Sequence, residues 1–449
     1  MRERALRALR WLQPGLGIKR WLFVSLLGVA MLADAVDRWV VAHGASWNIN
    51  ELLDGIVADS FGASAPSSLT WCLIILGALL LIGGMLLTFR AVFRAARRAT
   101  QGLDAFEGLR LREGYKVVAI GGGTGLSTLL RGLKRRTSNL TAIVTVTDDG
   151  GSSGRLTKEL GVLPPGDIRN CLVALADDEA LVTDLFRYRF NEGEGLSGHS
   201  FGNIFLAAMT GITGNFDRAV QESSHVLNIV GRVLPATLGH VQLCAEFDDG
   251  RIVAGESKIP LARGKVSRVF LEPASVPAYE AVLAAIREAD AIVLGPGSLY
   301  TSVLPNLLVE RIAREIAVSR AVKIYVCNVM TQPGETTDMT ASDHVRTLLE
   351  NAGERVCDYV IVNDEPPKRL LAAYAEEGQG PVTPDSDRIA EMNLTPVSAA
   401  VISETEMVRH DPERLANVVL SVINRHVADR ATFVKRSSAY RRASRATVP

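Results

Sequence analysis

An apolar strand that runs straight into a glycine turn, Lys116-Val-Val-Ala-Ile-Gly-Gly-Gly-Thr-Gly-Leu126, constrains this chain more than any other stretch. A backbone takes this form when it has to approach a phosphate. No Cβ stands in the way, N–H groups are available, and a helix starts at the turn. A second apolar run, Leu140 to Thr147, ends in Thr147-Asp-Asp-Gly-Gly-Ser-Ser-Gly-Arg155, which brings two carboxylates, two hydroxyls and an arginine to the same sheet edge. Together the two loops point to a nucleotide or sugar-nucleotide site. Each alone has a plainer reading, the first as a tight turn without a ligand and the second as a solvated turn.

The spacing excludes two common alternatives. Gly121, Gly123 and Gly125 alternate, and Leu126-Ser127-Thr128 stand where the dinucleotide fingerprint G-x-G-x-x-G wants its third glycine. No G-x-x-x-x-G-K-[ST] follows, so a P-loop ATPase is not expected. A G-x-S-x-G nucleophile elbow is missing as well.

With 449 residues and a net charge of zero, the chain has room for a sizeable core, and bulk charge argues for no nucleic-acid partner. Its charges are unevenly distributed. Trp71 to Phe89 is an uncharged apolar run of bilayer-spanning length. Trp21 to Ala42 is a weaker second span, interrupted by Asp34, Asp37 and Arg38. Arginines and lysines flank both runs on their outer sides, while the loop between them, 43–70, has none. The positive-inside rule then predicts a membrane hairpin over 1–100, with both ends and all that follows in the cytoplasm. A linker over 101–113, a soluble domain over 114–430 and a basic, disordered tail over 431–449 complete the expected organisation. The tail could lie on anionic lipid. Five scattered cysteines without C-x-x-C spacing read as core thiols of a reducing compartment.

From Lys116 onward, strands and helices alternate. The expected fold class is α/β, a Rossmann-like parallel sheet covered by helices, with a β-hairpin excursion around Asp249-Gly250. In such sheets ligands bind beyond the carboxyl ends of the strands. Two further loops sit there. Gly295-Pro-Gly-Ser-Leu-Tyr-Thr-Ser302 offers backbone N–H groups and the Ser298 and Thr301 hydroxyls to a phosphate, with Tyr300 able to stack on a base or sugar. Asn328-Val-Met-Thr-Gln-Pro-Gly-Glu-Thr337 can recognise hydroxyl or amide groups. Between the second and third of these four loops, Pro164-Pro-Gly-Asp-Ile-Arg-Asn170 places Asp167 as a helix N-cap or an acid, Arg169 as a phosphate clamp and Asn170 as a sugar contact. In Ser197-Gly-His-Ser-Phe-Gly-Asn203, His199 is the histidine best placed to act, and no second histidine at metal spacing suggests zinc.

In that order, the motifs Gly121-Gly-Gly-Thr-Gly-Leu126, Asp148-Asp-Gly-Gly-Ser-Ser-Gly-Arg155, Pro165-Gly-Asp-Ile-Arg-Asn170, Gly198-His-Ser-Phe-Gly-Asn203, Gly295-Pro-Gly-Ser-Leu-Tyr300 and Asn328-Val-Met-Thr-Gln-Pro-Gly-Glu335 resemble the gluconeogenesis factor family. These are the bacterial YvcK-like proteins, related to the 2-phospho-L-lactate transferases. The resemblance covers roughly 116–424. It implies a Rossmann-like domain that binds UDP-N-acetylglucosamine and ties carbon flux to cell-wall precursor supply and cell shape. It places phosphate contacts on Gly122, Gly123, Thr124, Gly125 and Leu126, and on Gly295, Gly297 and Ser298. Tyr300 would lie against the nucleotide, and Asn203 and Asn328 near the sugar, with Asp148, Arg169, Asn170 and His199 completing the ligand set. In the transferase branch the aspartate pair serves a divalent metal, so Asp148 and Asp149 would be the ligands of a Mg2+ ion. There, Asp148, Asp149 and Asp167 are the catalytic candidates for moving a phospholactyl group from a nucleotide donor to a deazaflavin alcohol. A cell-wall precursor enzyme as partner and a homo-oligomeric state are further expectations. The membrane hairpin departs from the family's usual cytosolic pattern.

Overall fold

The computed structural model describes residues 18–42, 72, 74–87, 111 and 113–446, apart from 178 and 406. The chain divides into two compact units, Met1–Arg110 and Leu111–Pro449. The first holds helices α1 (Ile18–Ala42) and α2 (74–87). Among its described residues Gly28, Ala35, Gly77 and Gly84 are buried, while Phe23 and Met85 are 68% and 69% exposed. The small residues form the seam: a Cβ on Gly28 would meet the Leu81 nitrogen at 2.6 Å. The two expected spans are thus helical where described. Yet among the described residues no helix is long and apolar enough to cross a membrane. Lys19, Arg20, Asp34, Asp37 and Arg38 all lie within α1, and the ends of the second span, the loop 43–70, most of the basic flanks and most of the linker lie outside the described residues.

The second unit is built on a seven-stranded parallel sheet in the order β10-β9-β8-β7-β1-β2-β3. Its strands are β1 (Val117–Gly121), β2 (Leu140–Val144), β3 (Arg232–Pro235), β7 (Ala291–Leu294), β8 (Val322–Val326), β9 (Tyr359–Asn363) and β10 (Thr395–Ala399). The central strands are buried on both faces, as helix-covered parallel sheets require. Their side chains alternate: Val118, Ile120, Ile292 and Leu294 join one core, and Val117, Ala119, Ala291 and Val293 the other. The hairpin expected around Asp249-Gly250 exists as β4 (Gln242–Phe247) and β5 (Ile252–Ala254), and a third strand, β6 (Val266–Glu272), completes a small antiparallel sheet. A further hairpin, β11 (Ile402–Glu404) with β12 (Val408–His410), was not expected.

Helix α3 (Gly123–Leu133) follows β1, α4 (Gly151–Leu160) follows β2, and α5 (Gly166–Leu175) comes next. Two more helices bear on the site, α6 (Phe201–Thr213) and α7 (Ala341–Ala352). The last, α8 (Pro412–Ala446), begins one residue after Asp411, whose carboxylate receives the Arg414 N–H at 2.8 Å as an N-cap. The tail expected to be disordered from 431 continues this helix to Ala446. Cys171, Cys244, Cys327 and Cys357 are buried thiols, as the sequence reading expects, whereas Cys72, in the first unit, is exposed and not a core residue.

Candidate functional site

Strands β1 to β3 run to one side of the sheet, and β7 to β10 to the other, so the chain reverses direction between β1 and β7. At such a switch point the loops leaving adjacent strands diverge and open a crevice. Here the loops are the first and third glycine turns. A cleft of about 390 Å³ lies between them, floored by Gly122, Gly123, Thr124 and Gly125 on one side and by Pro296, Gly297 and Ser298 on the other. Close approach explains the composition. A Cβ on Gly125 would stand 2.8 Å from the Gly297 Cα. Asn328 borders the cleft and accepts the Gly297 N–H at 3.4 Å, and Thr331 and Gln332 continue its wall.

The far wall comes from a region that carried no signal in the sequence. Tyr374, Gln379, Val408, Arg409 and His410 close the cleft opposite the glycine turns. The Tyr374 hydroxyl accepts the Val408 N–H at 3.1 Å, tying β12 to the preceding helical turn. Gln332 Oε1 and His410 Nε2 are buried without a hydrogen-bond partner. Burial holds the His410 imidazole down at about 4, so it is neutral at physiological pH. An arginine on a three-residue strand looks like any surface residue, and only its tertiary placement brings it here.

Several expected contacts stand elsewhere. Tyr300 is 3% exposed and sits in the core beneath its loop, its hydroxyl donating to the Val266 carbonyl at 3.3 Å. It does not line the cleft, because the loop turns into a helix at Leu299 and carries the ring inward. Leu126 is likewise a fully buried core residue, and only its backbone belongs to the turn. Gly295 lies beneath the cleft rather than along it.

Arg169, Asn170, His199 and Asn203 form an adjoining polar network outside the cleft. Arg169 donates to Ser200 Oγ at 2.6 Å, to Asn203 Oδ1 at 2.9 Å and to Asn170 Oδ1 at 2.9 Å. Asn203 reaches Ser153 Oγ at 3.3 Å, and His199 Nδ1 pairs with Ser152 Oγ at 2.9 Å. These bonds lock the starts of α4, α5 and α6 together. Burial, then the nearby Arg189, lowers the Arg169 pKa.

Asp167 connects the network to the cleft. It does not cap α5, whose N-cap is Pro165 without a side-chain bond. Its carboxylate instead accepts the Gly123 N–H and lies against Gly122. Burial chiefly, then the Asp148 charge, pushes its pKa up to about 7. Glu256, from the turn after β5, joins this acidic group. It accepts the Thr147 hydroxyl at 2.6 Å, and burial followed by the Asp167 charge raises its pKa well above normal. The aspartate pair itself diverges: Asp148 accepts the Gly150 N–H at 3.0 Å, whereas Asp149 accepts the Ser257 N–H at 2.9 Å. Among the described residues no set of three or more acidic, histidine or cysteine side chains converges on a metal position. The arrangement therefore does not fit a Mg2+ ion held by the protein alone.

Comparisons with known proteins identify the family. Residues 117–402 match the family described as 2-phospho-L-lactate transferase CofD. A gluconeogenesis factor of Bacillus subtilis is 50% identical over 310 residues, 69% of this chain and 98% of its own length. A putative gluconeogenesis factor of Nostoc is 50% identical over 422 residues, 92% of this chain and 91% of its own length, a match that must reach into the first unit. A crystal structure from Bacillus halodurans superposes with a TM-score of 0.66 at 50% identity, covering 69% of this chain and 99% of that one. Fold and site thus define an α/β protein of the CofD class. The chain belongs to the gluconeogenesis factor family.

Proposed function

We propose that this chain is a regulatory protein that binds UDP-N-acetylglucosamine at the switch-point cleft and adjusts carbon flow into cell-wall precursors, and with it cell shape. The observation that carries this reading is the apposition of two glycine turns across from Arg409. Backbone N–H groups and one cation suit a diphosphate, and the polar walls from Asn328 to Gln332 suit a sugar. Regulation is favoured over group transfer because Asp148, Asp149 and Asp167 are each engaged with backbone N–H groups. Calorimetric titration with UDP-N-acetylglucosamine is expected to give saturable binding without turnover. Arg409→Ala is expected to weaken it by about 10- to 100-fold, the loss of one charge-assisted contact. Tight binding of a guanine nucleotide instead, with transfer to a deazaflavin alcohol, would make the protein a transferase.

The first unit supports a membrane-tethered form of the same regulator. Helices in water bury large apolar residues, yet α1 and α2 bury small ones and expose Phe23, Leu26, Leu79 and Met85. Arg90, Arg94, Arg97 and Arg98 follow in sequence, suited to anionic headgroups. The full chain is expected to sediment with phosphatidylglycerol vesicles, and a chain beginning at Leu111 to remain in the supernatant. Equal sedimentation of the two would remove the tether.

A further inference from the structure

Glu335 closes the fourth loop but does not line the cleft, and it is 7% exposed. Its carboxylate receives the hydroxyl hydrogen of Ser298, which does line the cleft. Ser298 Oγ also accepts the Thr301 N–H at 3.2 Å and the Thr301 hydroxyl at 2.7 Å. A serine hydroxyl has one hydrogen and two lone pairs, so every bond that Ser298 can make is spent inside the protein. The hydroxyl expected to hold a phosphate has no hydrogen left to offer.

We propose that Glu335 is a positioning residue for phosphoryl groups in this cleft: ionised, it draws the Ser298 hydroxyl away from the ligand, and protonated, it releases that hydroxyl to a phosphoryl oxygen, so that phosphate binding and proton uptake go together. No heavy-atom bond changes. A solvent proton goes onto the Glu335 carboxylate, which becomes a donor to Ser298 Oγ at the lone pair that the Thr301 hydroxyl gives up as it turns away, and the Ser298 hydrogen rotates to the ligand. An incoming diphosphate adds negative charge beside the carboxylate and favours the same protonation.

The surroundings allow this titration near neutrality. Burial lifts the Glu335 carboxyl to about 7, with the Ser298 hydrogen bond opposing it. Tyr300, two residues beyond Ser298, is itself raised by burial, and Glu335, Asp248 and Glu350 add to that rise. From α7, Asp343 caps the helix through Thr340, and burial lowers the His344 pKa. Arg409 and the neutral His410 line the same cleft, and Asp167, outside its lining, accepts the Gly123 N–H of the first glycine turn.

The inference rests on the cleft being a phosphate site, and the test separates the two ideas. UDP-N-acetylglucosamine has no group that titrates between pH 6 and 8. Titrating it calorimetrically at pH 7 in buffers of low and high ionisation enthalpy counts the protons taken up. Wild type is expected to take up a sizeable fraction of a proton per ligand and to bind several-fold more tightly at pH 6 than at pH 8. Asp167 can contribute to that total, so the readout is the difference from Glu335→Gln. In that variant the Glu335 share of the uptake and of the pH dependence disappears, while the isosteric amide keeps the loop folded. Ser298→Ala is expected to reduce both in the same way. Wild-type uptake and pH dependence retained in Glu335→Gln would overturn the assignment. Failure of wild type to bind the nucleotide sugar would instead overturn the ligand, and inorganic pyrophosphate would then serve as the probe for the same wild-type-minus-variant difference.

Discussion

Gly125→Ala is expected to abolish nucleotide-sugar binding and to lower stability by about 1–3 kcal/mol, the usual range for overpacking. The direction runs against helix propensity. Gly125 lies inside α3, where alanine would ordinarily gain about 1 kcal/mol over glycine. Here the added methyl would meet the Pro296 carbonyl carbon and the Gly297 Cα, each at 2.8 Å. Both are backbone atoms, so no side chain can swing aside. Nor can the loops part easily, because β1 and β7 are paired from Val117↔Ala291 to Ile120↔Leu294. Gly123 differs. Its φ of +62° strains any other residue, but the nearest atom to its missing Cβ is 3.8 Å away. Gly123→Ala is therefore a strain of about 1–2 kcal/mol without a clash. A denaturant melt and a titration decide the matter, and a Gly125→Ala protein more stable than wild type would refute the close approach.

Asp167→Asn is expected to make stability less dependent on pH. The Asp167 carboxyl goes from an ordinary value of 3.8 to about 7 on folding. Between those values the folded state holds more protons than the unfolded state, so stability falls as pH rises through the interval. Above 7 the native protein carries the full cost of a buried charge, on the order of a few kcal/mol. Asparagine removes that charge and keeps an acceptor for the Gly123 N–H. The variant should therefore be more stable than wild type at pH 8 and by a clearly smaller margin at pH 5, with no advantage below the ordinary value of 3.8. Glu256 is raised in the same direction, so the wild-type slope should become shallower rather than vanish. Denaturant melts at the two pH values read this directly, and an unaltered slope would show that Asp167 is not the titrating group.

Local chemistry made the sheet legible. The apolar runs at Val117, Leu140, Ala291 and Val322 are continuous, as strands covered on both faces must be, and each ends in a loop of glycine and small polar residues. Both sides of the cleft floor could be read for that reason. The far wall could not. Tyr374 and Arg409 sit in short elements whose composition resembles ordinary surface, and nothing local marks them as facing Gly123. The roles of Ser298 and Tyr300 were hidden for a different reason. Sequence shows which groups a loop carries but not which are consumed within the fold, by Glu335 in one case and by the core in the other. Arg169 and Asn203 read in the sequence as ligand contacts, but their hydrogen bonds join three helix starts and neither residue lines the cleft.

The placement of β12 also bears on how the protein is made. Gly125 and Arg409 face one cleft but are separated by some 280 residues, which a ribosome adds at roughly 5–20 per second. For about a quarter of a minute to a minute, the first glycine turn waits without β12, and for somewhat over half of that time it lacks β7 as well. During that interval β1 can pair with β2, its other neighbour, and β2 with β3, but the cleft that a ligand would need is incomplete. The ligand thus cannot act as a template for early folding. It can reward only a chain that has been completed to the start of its last helix, and a nascent or truncated copy has no complete cleft to offer a ligand.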